Sequence, residues 1–144
     1  MRGPWARQDF NLITVKKNKR SLWSRWVLVI VWMGLIFILS SISGLRSPFI
    51  SQLDLILRKL AHMTEFAILA FLSLRALAVN SDQVSRRSLI YAGILAGLYA
   101  VSDEFHQSFV RERVASPIDV GIDMAGVLIG LDLARRFFKR RFLR

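Results

Sequence analysis

The sequence predicts an all-α membrane protein: a small bundle of four transmembrane helices with a short third span. Three observations predict it. Apolar residues fall in four long blocks rather than in short alternations, which is the pattern of helices and not of half-buried strands. Hydrophobic residues make up 53% of the 144-residue chain, and the mean hydropathy is +0.40. The formal net charge of +11 sits mostly at the two ends, and basic residues that flank apolar blocks act as topology signals.

The first block, "WVLVIVWMGLIFILSSIS", runs from Trp26 to Ser43 without a charge. It is close to the ~20 residues that cross a ~30 Å hydrocarbon core. Trp23 and Trp26 stand at its start, where aromatic rings favour the membrane interface. The run is too long for an ordinary signal-peptide core and lacks a small-residue cleavage site just beyond it. An uncleaved span is expected.

The second block extends from Leu60 to Val79, "LAHMTEFAILAFLSLRALAV". Its middle is apolar, its start carries His62 and Glu65, and Arg75 near its far end is expected to snorkel. The third, "LIYAGILAGLYAV" from Leu89 to Val101, reaches only about 20 Å as a helix. It is expected to continue into "SDEFHQ", whose polar residues then form its last turns. The fourth, Pro117 to Ala134, opens with Pro117 suited to a first helical turn and Ser116 suited to cap it. Asp119, Asp123 and Asp132 interrupt its apolar pattern, and Asp132 is expected to pair with Arg135 or Arg136.

The chain therefore divides into a basic cytoplasmic N-terminal segment (1–25), a four-helix membrane domain (26–134) and a basic cytoplasmic tail (135–144). An even number of spans puts both termini on one side. The density of Lys and Arg in the tails makes that side the cytoplasm, a multi-pass arrangement in the cell membrane. Nucleic acid is not an expected partner, because no stacking platform or binding motif accompanies the charge. With no cysteine in the chain, disulfides and thiolate chemistry are excluded.

This topology brings the ionisable groups to one membrane depth on the outer side. The second helix starts there with Lys59, His62 and Glu65, the third ends there with Asp103, Glu104, His106 and Gln107, and the fourth begins there with Asp119 and Asp123. Lys59, His62 and Glu65 follow a spacing of three, so adjacent members share a face. Asp103, His106 and Gln107 form a second patch by the same rule. Asp119, Asp123, Gly126 and Gly130 form a stripe whose glycines make a small-xxx-small pattern, which permits close approach of a neighbouring helix. Each residue alone has a plainer reading as an interfacial donor, cap or ion pair. Their convergence raises the functional one.

Two segments, "KLAHMTEFAILAFL" (Lys59–Leu72) and "DEFHQSFVRERVASPIDVGIDMAGVLIG" (Asp103–Gly130), resemble the VanZ-like family of small integral membrane proteins. Asp103, Glu104, His106 and Gln107 match its acidic, histidine and glutamine core; Arg113, Ser116, Asp119, Asp123, Gly126 and Gly130 match later positions. Two departures stand out. "VRER" replaces the proline and glycine often found before the arginine matched by Arg113, and Asp123 stands where asparagine is common. The resemblance implies a membrane protein of the cell envelope, linked in one founding case to glycopeptide (teicoplanin) resistance, and supplies no settled reaction.

The leading expectation is an outward-facing site acting on an amphiphilic cell-envelope lipid or a lipid-linked cell-wall precursor. His62, Glu65, Glu104 and His106 are the candidates for proton transfer. Lys59, Asp103, Gln107, Arg113, Ser116, Asp119 and Asp123 are the candidates for substrate contacts, with Arg113 suited to a phosphate or carboxylate. No cofactor is expected. A divalent metal on His62, His106, Glu65, Asp103, Asp119 and Asp123 is the minor alternative, since the ligands would come from separate helices without an HExxH pattern. Non-catalytic binding of a lipid headgroup or glycopeptide, and a structural polar network, are the competing readings. Transport is disfavoured because four short helices leave no obvious conduit in a monomer.

Overall fold

A computed structural model describes residues 5–42, 52–78, 84–110 and 116–141 of the chain. Four helices follow one another: α1 (Trp5–Ser41), α2 (Gln52–Leu77), α3 (Arg86–Gln107) and α4 (Pro117–Arg141). No strand occurs among the described residues.

The ends of these helices follow from local sequence. From Trp5 to Ser41 the chain holds no proline and one glycine, Gly34, so nothing stops the helix between the basic segment and the first apolar block. α1 is accordingly 37 residues long, and the helix begins well before the expected start at Trp26. Ser85 caps α3 by accepting a hydrogen bond from the Ser88 N–H at 3.0 Å. The third helix is not short. It has 22 residues, because Ser102 to Gln107 carry the helix past its apolar block, and it spans about 33 Å. At the start of α4, Ser116 Oγ accepts from the Ile118 N–H at 3.2 Å, and Pro117 occupies the first helical position.

The helices alternate in direction. α1 is antiparallel to α2, with Arg25 Nη1 donating to the Arg75 carbonyl at 3.4 Å and Trp32 Nε1 to the Glu65 carbonyl at 2.9 Å. It is parallel to α3, where Tyr99 Oη donates to the Met33 carbonyl at 2.6 Å. The most extensive interface joins α2 to α4, which run parallel. A Cβ on Gly126 would overlap the backbone of Met63, with the Met63 carbonyl carbon at 2.9 Å, and a Cβ on Gly130 would lie 2.8 Å from the Ala67 Cα. The glycine stripe expected from the sequence is thus the contact line, and α2 is its partner.

The core is built from small side chains around a few large ones. Ala70, Ala96, Ala100 and Val127 pack with Phe66, Leu69, Val29 and Ile36, and the Phe66 and Tyr99 rings tilt against each other at 6.3 Å. A second cluster of Leu74, Ala92 and Ala134 closes the opposite end. An apolar groove follows the α3–α4 seam between Leu89 and Val101, floored by Gly93 and Gly97 and bounded by Met124 and Leu131. Among the described residues, two helices contain a stretch long and apolar enough to cross a membrane: Leu22–Ser41 in α1 and Ile56–Leu77 in α2. α3 and α4 are of sufficient length but carry more charge.

Candidate functional site

Alternating helix directions collect four helix ends in one place: the C-terminus of α1, the N-terminus of α2, the C-terminus of α3 and the N-terminus of α4. Arg25, Arg75, Arg86, Arg87, Arg135 and Arg136 belong to the opposite end, where Asp132 pairs with Arg136 at 2.8 Å.

On α2, Lys59 reaches across to α4. Its Nζ lies 2.7 Å from Asp119 Oδ1, in a half-exposed pair (side chains 45% and 35% accessible). Lys59 thereby ties α2 to α4. One turn deeper, His62 Nδ1 and Glu65 Oε2 approach to 3.7 Å, both largely covered. This is the i, i+3 neighbour relation of a helix face, at a separation longer than a hydrogen bond.

The C-terminal turns of α3 carry the buried part of the site. Asp103 and Asp123 are 3% and 2% exposed, and Glu104 and Gln107 are also buried. Gln107 Nε2 donates to Asp103 Oδ2 at 2.7 Å, the i, i+4 bond of one helix face. Glu104 Oε1 accepts from the Ser116 backbone N–H at 2.6 Å, tying the end of α3 to the cap of α4 with a charge-assisted bond. Asp123 has Asp103, Glu104, Asp119 and Glu65 as its electrostatic neighbours. Five carboxyl groups from three helices therefore share one region.

His106 is oriented differently. Its Nε2 lies 3.0 Å from Ser41 Oγ, and its ring packs against Phe37 with centroids 4.4 Å apart. Both contacts are on α1. Ser41 Oγ also donates to the Phe37 carbonyl at 2.6 Å, so His106 is the donor toward Ser41 whenever that bond is made. The expected patch of Asp103, His106 and Gln107 consequently splits. Asp103 and Gln107 bond each other, while His106, about 60° away around the helix, contacts α1.

Arg113 lies in Arg111–Ala115, outside the described residues, as do the side chains of residues 1–21. Among the described residues, no three His, Cys, Asp or Glu side chains converge closely enough to hold a metal ion. Sequence spacing does not mark Ser41 or Phe37 as partners of His106: both belong to an apolar block in which no pattern distinguishes the face turned to α3. Trp32 and Tyr99, which bond backbone carbonyls across helices, were equally silent.

The family model described as VanZ/LLP1 matches residues 25–139. No curated protein and no solved structure matches the chain.

Proposed function

The chain belongs to the VanZ/LLP1 family, and from that premise we propose that it is a four-span protein of the cell membrane. Its outward-facing polar end takes up the headgroup of an amphiphilic cell-envelope lipid or cell-wall precursor. One observation carries this reading: the bundle is apolar outside and ionisable inside. Large apolar side chains are exposed on all four helices, as with Ile30 and Ile38 on α1, Ile56 on α2, Leu98 on α3 and Leu128 on α4. Asp103, Glu104, Gln107 and Asp123 are buried. Water would favour the reverse arrangement, whereas lipid drives ionisable groups toward the bundle interior. The charges that distinguish α3 and α4 from ordinary spans are therefore compatible with spanning, because Asp103, Glu104 and Asp123 turn inward and the half-exposed Asp119 and the exposed Asp132 lie toward the helix ends.

The acid–base work falls to His62 and Glu65, which approach each other between an exposed rim and a buried floor. Glu104 and His106 support the α4 start and the α1 contact. Lys59, Asp103, Gln107, Ser116, Asp119 and Asp123 are the headgroup contacts, and the family motif adds Arg113 for an anionic group. The basic residues of the opposite end, on the N-terminal segment and the tail, put both termini in the cytoplasm. A purely structural network is the second reading. It is favoured by the Glu104–Ser116, Gln107–Asp103 and Lys59–Asp119 bonds, each joining helix ends or turns.

The test uses the full chain in nanodiscs with a lipid whose headgroup carries a photoreactive diazirine. Adducts should map to peptides containing 59–65 and 103–123, and product analysis should reveal headgroup cleavage or transfer. Adducts confined to the apolar exterior would overturn the reading. Specific adducts with no product would assign the site to binding.

A further inference from the structure

We infer that the buried carboxylates of Asp103 and Asp123 form a seat for a primary ammonium group on the bound amphiphile. The inference rests on the headgroup-binding reading above and names the chemistry of the headgroup. It starts from an unmet acceptor. Asp103 is 3% exposed, its Oδ2 is fixed by Gln107 Nε2, and its Oδ1 accepts no hydrogen bond. A buried carboxylate oxygen without a donor is costly, and native structures rarely leave one so. A species that brings N–H or O–H groups is what this atom lacks.

The surroundings select among donors. Asp123, on the facing helix, is 2% exposed and has Asp103, Glu104, Asp119 and Glu65 around it. Such a field repels phosphate, sulfate and carboxylate groups and attracts cations. Among cations, a metal ion finds no group of three ligating side chains among the described residues. A quaternary ammonium carries positive charge but no hydrogen to give Asp103 Oδ1. A primary ammonium carries three donors and no acceptor, so it can satisfy Asp103 Oδ1 and still offer hydrogens to the carboxyl groups around it. The protein already performs this chemistry at the rim of the same cluster, where the Lys59 ammonium is seated on Asp119 at 2.7 Å. Accessibility rises from Asp103 and Asp123 through His62 and Glu65 to Asp119 and Lys59.

The experiment compares lipids that differ only in the hydrogens on nitrogen. The full chain is placed in nanodiscs holding equal parts of phosphatidylethanolamine, its mono-, di- and trimethylated forms, and phosphatidylglycerol. Lipids retained after release are counted by native mass spectrometry. Retention should fall stepwise with each methyl group, reaching about tenfold between the primary and trimethylated headgroups, the change expected from losing a hydrogen bond to a charged acceptor. The preference should collapse in Asp103→Asn and in Asp123→Asn and persist in Asp132→Asn, whose partner is Arg136 at the other end. The methylation series is read on the unaltered chain, so it decides the matter even if the Asn variants fail to fold. Displacement of the retained lipid by free ethanolamine would assign the seat to the ammonium alone; retention against it would assign the seat to the ammonium on a lipid. Either supports the inference. Equal retention across the methylation series, or a preference untouched in both folded Asn variants, would overturn it. Photoreactive headgroup adducts that map to the polar end alongside such equal retention would leave headgroup binding standing without the ammonium. Absence of those adducts would remove the parent reading itself.

Discussion

His62 and His106 begin as equivalent candidates, two imidazoles on neighbouring helices at the same end of the bundle, but their surroundings predict different outcomes for the same change. His62→Gln removes the imidazole beside Glu65. It should reduce any headgroup turnover by ~10²–10⁴-fold, the usual worth of a positioned acid–base group, while leaving the melting temperature in detergent nearly unchanged. His106→Gln retains a polar side chain able to reach Ser41 Oγ, so its effect on turnover should stay within several-fold. Parallel turnover and melting measurements on both variants check this; equal losses would return His106 to the acid–base role. Glu104 makes a different prediction. Its carboxylate accepts from the Ser116 N–H inside the protein, and Glu104→Ala should cost about 1–3 kcal/mol by leaving that donor unmet. Reversible unfolding in mixed micelles measures the loss.

At the scale of the helix, the α2–α4 pair depends on two absent side chains. Any Cβ on Gly126 or Gly130 meets the α2 backbone, which cannot give way as a flexible side-chain end can. Gly130→Leu should therefore push the helices apart and destabilise the bundle by about 1–3 kcal/mol or more. It should also separate Lys59 from Asp119, since the glycines and the ion pair lie along one interface. Gly34 is the contrast: no atom lies near its missing Cβ. Gly34→Ala should be neutral or stabilising by up to about 1 kcal/mol, through helix propensity alone. Unfolding curves of the two variants distinguish a packing glycine from a tolerated one. The Lys59–Asp119 pair itself is half-exposed and contributes little stability, so Lys59→Met should change ligand capture far more than folding.

At the scale of the whole molecule, orientation is the property to test. Arg25, Arg75, Arg86, Arg87, Arg135 and Arg136 gather at one end with Asp132, and Glu65, Asp103, Glu104, Asp119 and Asp123 gather at the other. If the basic end is cytoplasmic, Ser108→Cys should react with an impermeant maleimide added to intact cells, and Lys139→Cys should react only after the membrane is opened. The chain has no native cysteine, so each label reports one position. The reverse pattern would invert the protein and place the acid cluster inside the cell.

Much of this architecture was legible in the residues. Block lengths and terminal charges suffice for four helices in alternating directions, because apolar length and helix rise are properties of the chain alone. The cap at Ser116, the Asp132–Arg136 pair and the glycine stripe are also local: each depends on spacings of two to four residues along one helix. The convergence of Lys59, Glu65, Asp103 and Asp123 follows from those directions. Tertiary packing decided what spacing cannot encode, namely the rotation of each helix about its own axis. That rotation sent His106 toward Ser41 rather than toward His62, brought Lys59 to Asp119 on α4, and left Asp103 Oδ1 buried without a donor. It is set by how small side chains on one helix admit the backbone of another, a pairwise fit between segments far apart in sequence. For that reason the chain alone predicted a polar end, and only the folded bundle distinguished the close approach of His62 and Glu65, the bonds that tie helix ends together and the Asp103 oxygen without a donor.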